Sequence, residues 1–179
     1  RSTLFPYTTL FRSSIPKGGI IEGLQAYTNV LEIPGEVDLA IIVVNAKFVL
    51  DTIDQCHEKG IKGLCIITAG FKETGKEGAE AEKQLLAKVQ EYGMRCVGPN
   101  CLGVVNTLPE VRMDGCFAES LPERGHIGFV SQSGALGGGI LNILKDLNLG
   151  FAQFISIGNQ ADVNAETAIE YWENEKDVI

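Results

Sequence analysis

From residue 37 onward the chain alternates strand-length apolar runs with segments of helical period, and this alternation restricts the fold more than any other feature. VDLAIIVV (37–44) is an apolar run of strand length, and KFVLDTIDQCHEKG (47–60) sets Val49, Leu50, Ile53 and Cys56 on one helical face ahead of a stopping Gly60. IKGLCIITAGF (61–71) reads as a second buried strand. EGAEAEKQLLAKVQEYG (77–93) reads as a helix of strong helix formers ended by Gly93, and MRCVGPNCLGVVN (94–106) opens on a third strand. Strands written as unbroken apolar runs have both faces covered, so the β-α-β-α-β order predicts a parallel, doubly wound α/β sheet with right-handed crossovers.

Residues 107–124, TLPEVRMDGCFAESLPER, interrupt the rhythm with prolines and charge and read as a connection between domains. A second unit then begins: a strand over 126–131, a helix over about 134–147, a strand over 151–158 and a helix over 164–176, with Ile179 read as the start of another strand. Both sheets are therefore expected to be incomplete. In open α/β sheets ligands bind beyond the carboxyl ends of the strands, which singles out residues 45–47, 68–71, 98–101, 131–135 and 158–163.

Residues 1–13, RSTLFPYTTLFRS, are unlike the rest of the chain and read without a mismatch as a translated sequencing adapter, so they are set aside from the fold. Removing Arg1 and Arg12 leaves 13 basic against 23 acidic residues, a net charge of −10. That balance excludes a general nucleic-acid binder, and any anion must be held by local donors rather than by the overall field. No apolar run reaches the roughly 18 residues a membrane span needs. The five cysteines, Cys56, Cys65, Cys96, Cys101 and Cys116, form no CxxC pair and have only His57 and His126 to join them, so no metal site is expected. Reduced thiols in the cytoplasm are the expectation.

The stretch IGFVSQSGALGGGI (127–140) raises a chemical choice. A hydrolase elbow needs glycine two residues before and after the nucleophile, but Ser131 and Ala135 occupy those places around Ser133. A serine-rich turn that opens a helix can instead present free N–H groups, hydroxyls and the positive end of the helix dipole to an anion. Plain N-capping by Ser131 or Ser133 is equally compatible with the local sequence. Gly137, Gly138 and Gly139 inside the helix each cost about 1 kcal/mol relative to alanine. They imply either a closely packed neighbour or a frayed helix. Lys17, in PKGG, could pair with a phosphate or stand in solvent, and Asn100, in GPNCLG, could bond a ligand or close a turn. Glu73, Glu77, Glu80 and Glu82 read as surface charge favoured by a helix start.

Taken in order, VDLAIIVVNAK, ITAGFKETGKEG, GPNCLGVVNT, GFVSQSGALGGG and SIGNQADVN resemble the CoA-binding α region of nucleoside-diphosphate-forming acyl-CoA synthetases. The pattern is most similar to ADP-forming acetate–CoA ligase, with the succinyl-CoA synthetase α subunit more distant, and the resemblance spans residues 15–179. It implies an incomplete Rossmann-like CoA-binding domain over 14–106 and the start of a flavodoxin-like succinyl-CoA-ligase domain over 125–179, with 107–124 as the linker. It implies CoA contacts at Lys17, Asn45, Ala46, Ile67, Thr68, Ala69 and Asn100. It also implies that Ser131, Ser133, Gly134 and Ala135 receive a phosphorylated histidine, which would lie beyond Ile179. Neither His57 nor His126 matches that histidine, so this polypeptide by itself is expected to lack complete ligase activity. Gly138 stands where succinate enzymes carry a carboxylate-shaping tyrosine, which argues against succinate. ADP or ATP with Mg²⁺ would sit on an ATP-grasp domain or subunit, and the intact enzyme would be an oligomer. The other readings are a CoA-binding regulatory region of a protein lysine acetyltransferase and a CoA-binding module without catalysis.

Overall fold

The computed structural model describes residues 13–14, 17–21, 23–118 and 123–178. Residues 1–12 and Ile179, expected as adapter sequence and as a strand start, lie outside the described residues. Near the beginning, β1 (Ser13–Ser14), β2 (Gly19–Ile21) and β3 (Leu24–Tyr27) form a small sheet in which β3 is central. There follow β4 (Leu39–Ile42), α1 (Val49–Lys59), β5 (Gly63–Ile66), α2 (Lys76–Glu91) and β6 (Arg95–Val97). The strands pair in parallel in the order β4-β5-β6, as the alternating pattern requires.

The helices form where the apolar spacing places them. Val49, Ile53 and Cys56 of α1 and Leu85 and Val89 of α2 are fully buried against Ile42, Leu64, Ile66 and Phe71. Gly60 ends α1 in a left-handed conformation that a side chain would strain, and its N–H returns to the carbonyls of Cys56 and His57. Glu82 departs from the surface role expected of it, while Glu73 stays exposed but is hydrogen-bonded. Glu82 is only 8% exposed, and it pairs with Lys72 at 3.3 Å. Glu73 folds back so that its Oε1 accepts from the N–H groups of Gly70 and Phe71. A buried carboxylate persists only where donors surround it, and these donors come from outside the helical pattern.

The second sheet has the order β8-β7-β10-β9 and contains β7 (Gly103–Asn106), β8 (Met113–Cys116), β9 (Arg124–Ser131) and β10 (Phe151–Ser156). β9 and β10 are parallel, with α3 (Gly134–Asp146) between them in sequence, and α4 (Ala165–Trp172) follows β10. Residues 107–124, expected as a plain connection, contain β8. Residues 103–106, expected as the tail of the first unit, form β7, which is antiparallel to both β10 and β8. The reason is non-local: β7 is short and glycine-led, and its partner β10 lies some 50 residues away, so no local period announces the pairing. Phe151 and Phe154 on β10 stack with Phe129 on β9 at ring separations of 5.5 Å and form the core here with Leu102, Val105 and Leu141. The three consecutive glycines leave α3 intact. A side chain at Gly137 would reach the Phe154 ring at 2.9 Å, so the helix lies directly on that phenylalanine.

Candidate functional site

The turns that leave β4, β5 and β6 are stitched into one ledge. Ile67 N–H donates to the Ile42 carbonyl at 3.0 Å, and the Thr68 hydroxyl donates to the Val44 carbonyl at 2.7 Å. Asn100 N–H in turn donates to the Thr68 carbonyl at 3.0 Å. Asn45 lies exposed on the first turn, where its Oδ1 accepts from Lys47 N–H at 3.2 Å and leaves its amide NH₂ without a partner among the described residues. Ala46 and Ala69 line the same edge. Thus five of the predicted CoA contacts, Asn45, Ala46, Ile67, Thr68 and Ala69, share one edge of the parallel sheet, and Asn100 adjoins them. Lys17 sits apart in the turn before β2, exposed, with no hydrogen bond or ion pair among the described residues.

The other half of the site is the start of α3. The Ser131 hydroxyl, buried, donates to the Ser133 carbonyl at 2.9 Å. Ser133 Oγ accepts from Leu136 N–H at 3.3 Å, which makes Ser133 the N-cap of the helix. The N–H groups of Gly134 and Ala135 have no acceptor among the described residues. Capping and anion holding, open alternatives in the sequence, are therefore compatible: the cap uses one N–H and leaves two, together with the Ser133 hydroxyl proton.

These two halves meet. A cleft of about 610 Å³ is walled on one side by Asn100, Cys101 and Leu102 and on the other by Ser133, Gly134 and Ala135. Exposed Phe117 and half-buried Ala118 form an apolar flank, and Gly138, Gly139 and Asn142 extend the helical wall. Behind Asn100, the Cys101 and Cys65 sulfurs lie 3.8 Å apart. The Cys65 thiol, hydrogen-bonded to Cys101, holds the latter below the ordinary thiol range. Burial pushes Cys96 up to about 12 and Cys56 up to about 11. All five cysteines are free thiols. Neither histidine reaches the cleft: His57 stacks on Tyr92 at 3.9 Å, and His126 Nδ1 lies 3.2 Å from the Asp177 carbonyl. Among the described residues no helix is long and apolar enough to cross a membrane.

Two family models match successive parts of the chain. Residues 15–107, more than half of the chain, match the family described as CoA binding domain. The chain belongs to this CoA-binding domain family. Behind the CoA-binding domain, residues 124–178 match the family described as succinyl-CoA ligase like flavodoxin domain. The α subunit of acetate–CoA ligase [ADP-forming] II from Pyrococcus furiosus is 50% identical over 151 residues, which cover 84% of this chain and 32% of that subunit. Among solved structures, a protein from Pyrococcus horikoshii superposes with a TM-score of 0.89 at 46% identity, covering 93% of this chain and 38% of that one. The apo acetyl-coenzyme A synthetase 1 of Ca. Korarchaeum cryptofilum gives 0.87 at 32% identity, covering 93% and 36%. The CoA-binding domain chain thus spans about a third of the length of these relatives.

Sequence reasoning passed over the role of residues 158–163, although it placed them at the crevice. Gly158 is pressed so closely onto the turn before Cys101 that a side chain would sit 2.4 Å from the carbonyl oxygens of Pro99 and Asn100. Its φ of +53° adds a second reason for glycine. The signal was present in Gly158, Asn159 and Asp162 of SIGNQADVN, but their partners are distant in sequence.

Proposed function

We propose that this chain forms the CoA-binding and phosphate-holding part of an ADP-forming acyl-CoA synthetase, acting on acetyl-CoA or a similar short acyl thioester. The reaction interconverts acyl-CoA, ADP and phosphate with the free acid, ATP and CoA. One observation carries this reading: a single cleft has a turn of the CoA-binding unit on one wall and two free N–H groups of a helix start on the other.

The chemistry suits that pairing. Phosphate adds to the thioester carbonyl, the C–S bond breaks, and CoA leaves as a thiolate that takes up a proton. The resulting acyl phosphate gives its phosphoryl group to a histidine nitrogen, releasing the carboxylate, and the phosphohistidine then phosphorylates ADP. Throughout, charge resides on phosphoryl oxygens. The N–H groups of Gly134 and Ala135, the Ser133 hydroxyl and the dipole of α3 stabilise such charge without supplying a base. Ser131 contributes by fixing the Ser133 carbonyl rather than by touching the anion. The partly exposed ledge at Asn45, Ala46, Ile67, Thr68 and Ala69, continued by Asn100, carries CoA with its thiol end toward the cleft, and Lys17 supplies a point charge for a CoA phosphate.

The names of the similar α subunits support a partner subunit and so an oligomeric enzyme; the family resemblance implies that the nucleotide sits there on an ATP-grasp domain. Mg²⁺ would accompany the nucleotide on that part, as the family resemblance implies. An odd number of cysteines with no CxxC pair fits a reducing, cytoplasmic setting.

The test is Ser133→Tyr in the full-length protein, which fills the cradle. Phosphohistidine formation from ATP is expected to fall roughly 100-fold, the scale for loss of a preorganised anion donor, while CoA affinity by calorimetry stays within about twofold. Equal loss of both would reject the phosphate-holding role in favour of a folding one. Calorimetry of the unmodified protein with CoA against NAD separates this reading from a dinucleotide-binding module.

A further inference from the structure

The segment after β10 does not hang free beside the cleft; it is bolted to the first unit. Asn159 N–H donates to the Pro99 carbonyl at 2.8 Å, Ala161 N–H to the Gly98 carbonyl at 3.0 Å and Val163 N–H to the Cys96 carbonyl at 3.1 Å. Asp162 accepts from Cys96 N–H at 2.8 Å and from Arg95 Nε at 2.9 Å. Five bonds therefore tie residues 159–163 of the second unit to residues 95–99 of the first.

At the centre of this seam is one side chain. Asn159 is 5% exposed. Its Nδ2 donates to Glu73 Oε2 at 2.6 Å and to Glu82 Oε2 at 2.7 Å, so both amide protons are given to carboxylates. Its Oδ1 accepts from Asn100 Nδ2 at 3.3 Å, and its carbonyl accepts from the Lys72 ammonium. Next to it, the Gly158 carbonyl accepts from Gln132 Nε2 at 3.2 Å, one residue before the N-cap of α3. Asn159 thus bonds directly to the Asn100 wall of the cleft, and the adjacent peptide bonds to the loop that carries the other wall.

We infer that Asn159 is a positioning residue that locks the Asn100 turn and the start of α3 in one relative placement, so that thioester and phosphoryl cradle face each other across the cleft. This inference rests on the proposed function for its consequence, but the lock itself is a property of the seam. Only an amide satisfies it. A carboxylate of the same shape would face Glu73 and Glu82 with no proton to give, and three like charges would have Lys72 as the nearest cation. Placing reacting groups is worth large rate factors, and a displacement of about 1 Å costs roughly 100-fold.

The experiment uses the full-length protein with N159D and with N159D/E73Q. The double variant restores an amide facing a carboxylate at the Glu73 contact with the ends exchanged, and leaves the Glu82 contact as in N159D. The side-chain oxygen that E73Q retains still accepts from Gly70 and Phe71, while the amide nitrogen it gains faces the carboxylate introduced by N159D. For N159D, turnover with saturating acetyl-CoA, ADP and phosphate is expected to fall about 100-fold with the KM for acetyl-CoA within about twofold, and the double variant is expected to regain part of the loss, since Glu82 still faces the introduced carboxylate. Hydrogen exchange supplies a readout independent of activity. N159D should raise it about tenfold in residues 98–102 and 131–136 while β4 and β5 stay protected. Unchanged turnover and exchange in N159D would overturn the inference. So would joint loss of turnover and CoA binding without recovery in the double variant, because that pattern belongs to general misfolding. If the unmodified protein makes no phosphohistidine, the proposed function falls while the exchange comparison still decides the lock.

Discussion

The two α/β units are written in the same pattern but close their cores by different means. In the first, α1 and α2 turn complete apolar faces onto β4, β5 and β6, and Val49, Ile53, Cys56, Leu85 and Val89 lose all contact with water. In the second, α3 buries Leu141 fully yet leaves Leu136 61% and Ile143 59% exposed, and α4 leaves Ile169 and Tyr171 half in solvent. The first unit thus rests on dispersed apolar burial. The second concentrates its order in Phe151 and Phe154, in the pressing of α3 onto Phe154 and in the polar seam at residues 158–163. Pattern alone does not determine how much of a helix is used; the surface opposite it does.

Substitutions can break this comparison or sharpen it. The largest effect is expected at Phe154→Ala, which removes the ring between β9, β10 and α3 and should destabilise by about 3–5 kcal/mol in denaturant unfolding. Ile53→Ala in the first unit should come second at about 2–5 kcal/mol, whereas Ile143→Ala on the exposed side of α3 should stay within about 0.5 kcal/mol. A cost at Ile143 equal to that at Ile53 would erase the contrast between the units. Next comes the cap: Ser133→Ala should cost about 1 kcal/mol, and Ser133→Gly a few tenths, measured in the same way.

The smallest effect concerns pH at the seam. Burial, the largest influence on Glu73, raises its carboxyl, but the Asn159 amide and the N–H groups of Gly70 and Phe71 outweigh it and hold it below the ordinary carboxylate range. A folded value depressed in this way adds stability above the unfolded value of about 4.5. That contribution is lost as pH falls through the folded value. Unfolding measured from pH 6 down to about pH 3 should therefore lose less stability in E73Q than in the unmodified protein. An identical pH slope would remove Glu73 from the seam.

Much of the first unit was legible in the residues themselves. The apolar runs located β4, β5 and β6, the spacing of Val49, Ile53 and Cys56 located the buried face of α1, and Gly60 located its end. The serine turn before α3 was equally visible as either cap or cradle, because both depend on the same few N–H groups. The connection over 107–124 holds more structure than its residues announce: Met113–Cys116 is a strand whose partner is β7, and β7 itself pairs into the second sheet. Glu82 was misjudged for a similar reason. Its place on α2 looks solvent-facing until Asn159, 77 residues away, closes over it.

The amino-acid sequence by itself determined the alternating elements, the parallel first sheet and the chemical character of the turns, because those depend on neighbours within one or two helical periods. Tertiary structure alone decided that β7 joins the second sheet, that two carboxylates share one buried amide, and that Asn100 and Ser133 line the same cleft. Such pairings depend on which distant groups arrive together, and the cost of an unsatisfied buried charge or N–H then selects the partner. Period and propensity carry no record of that choice.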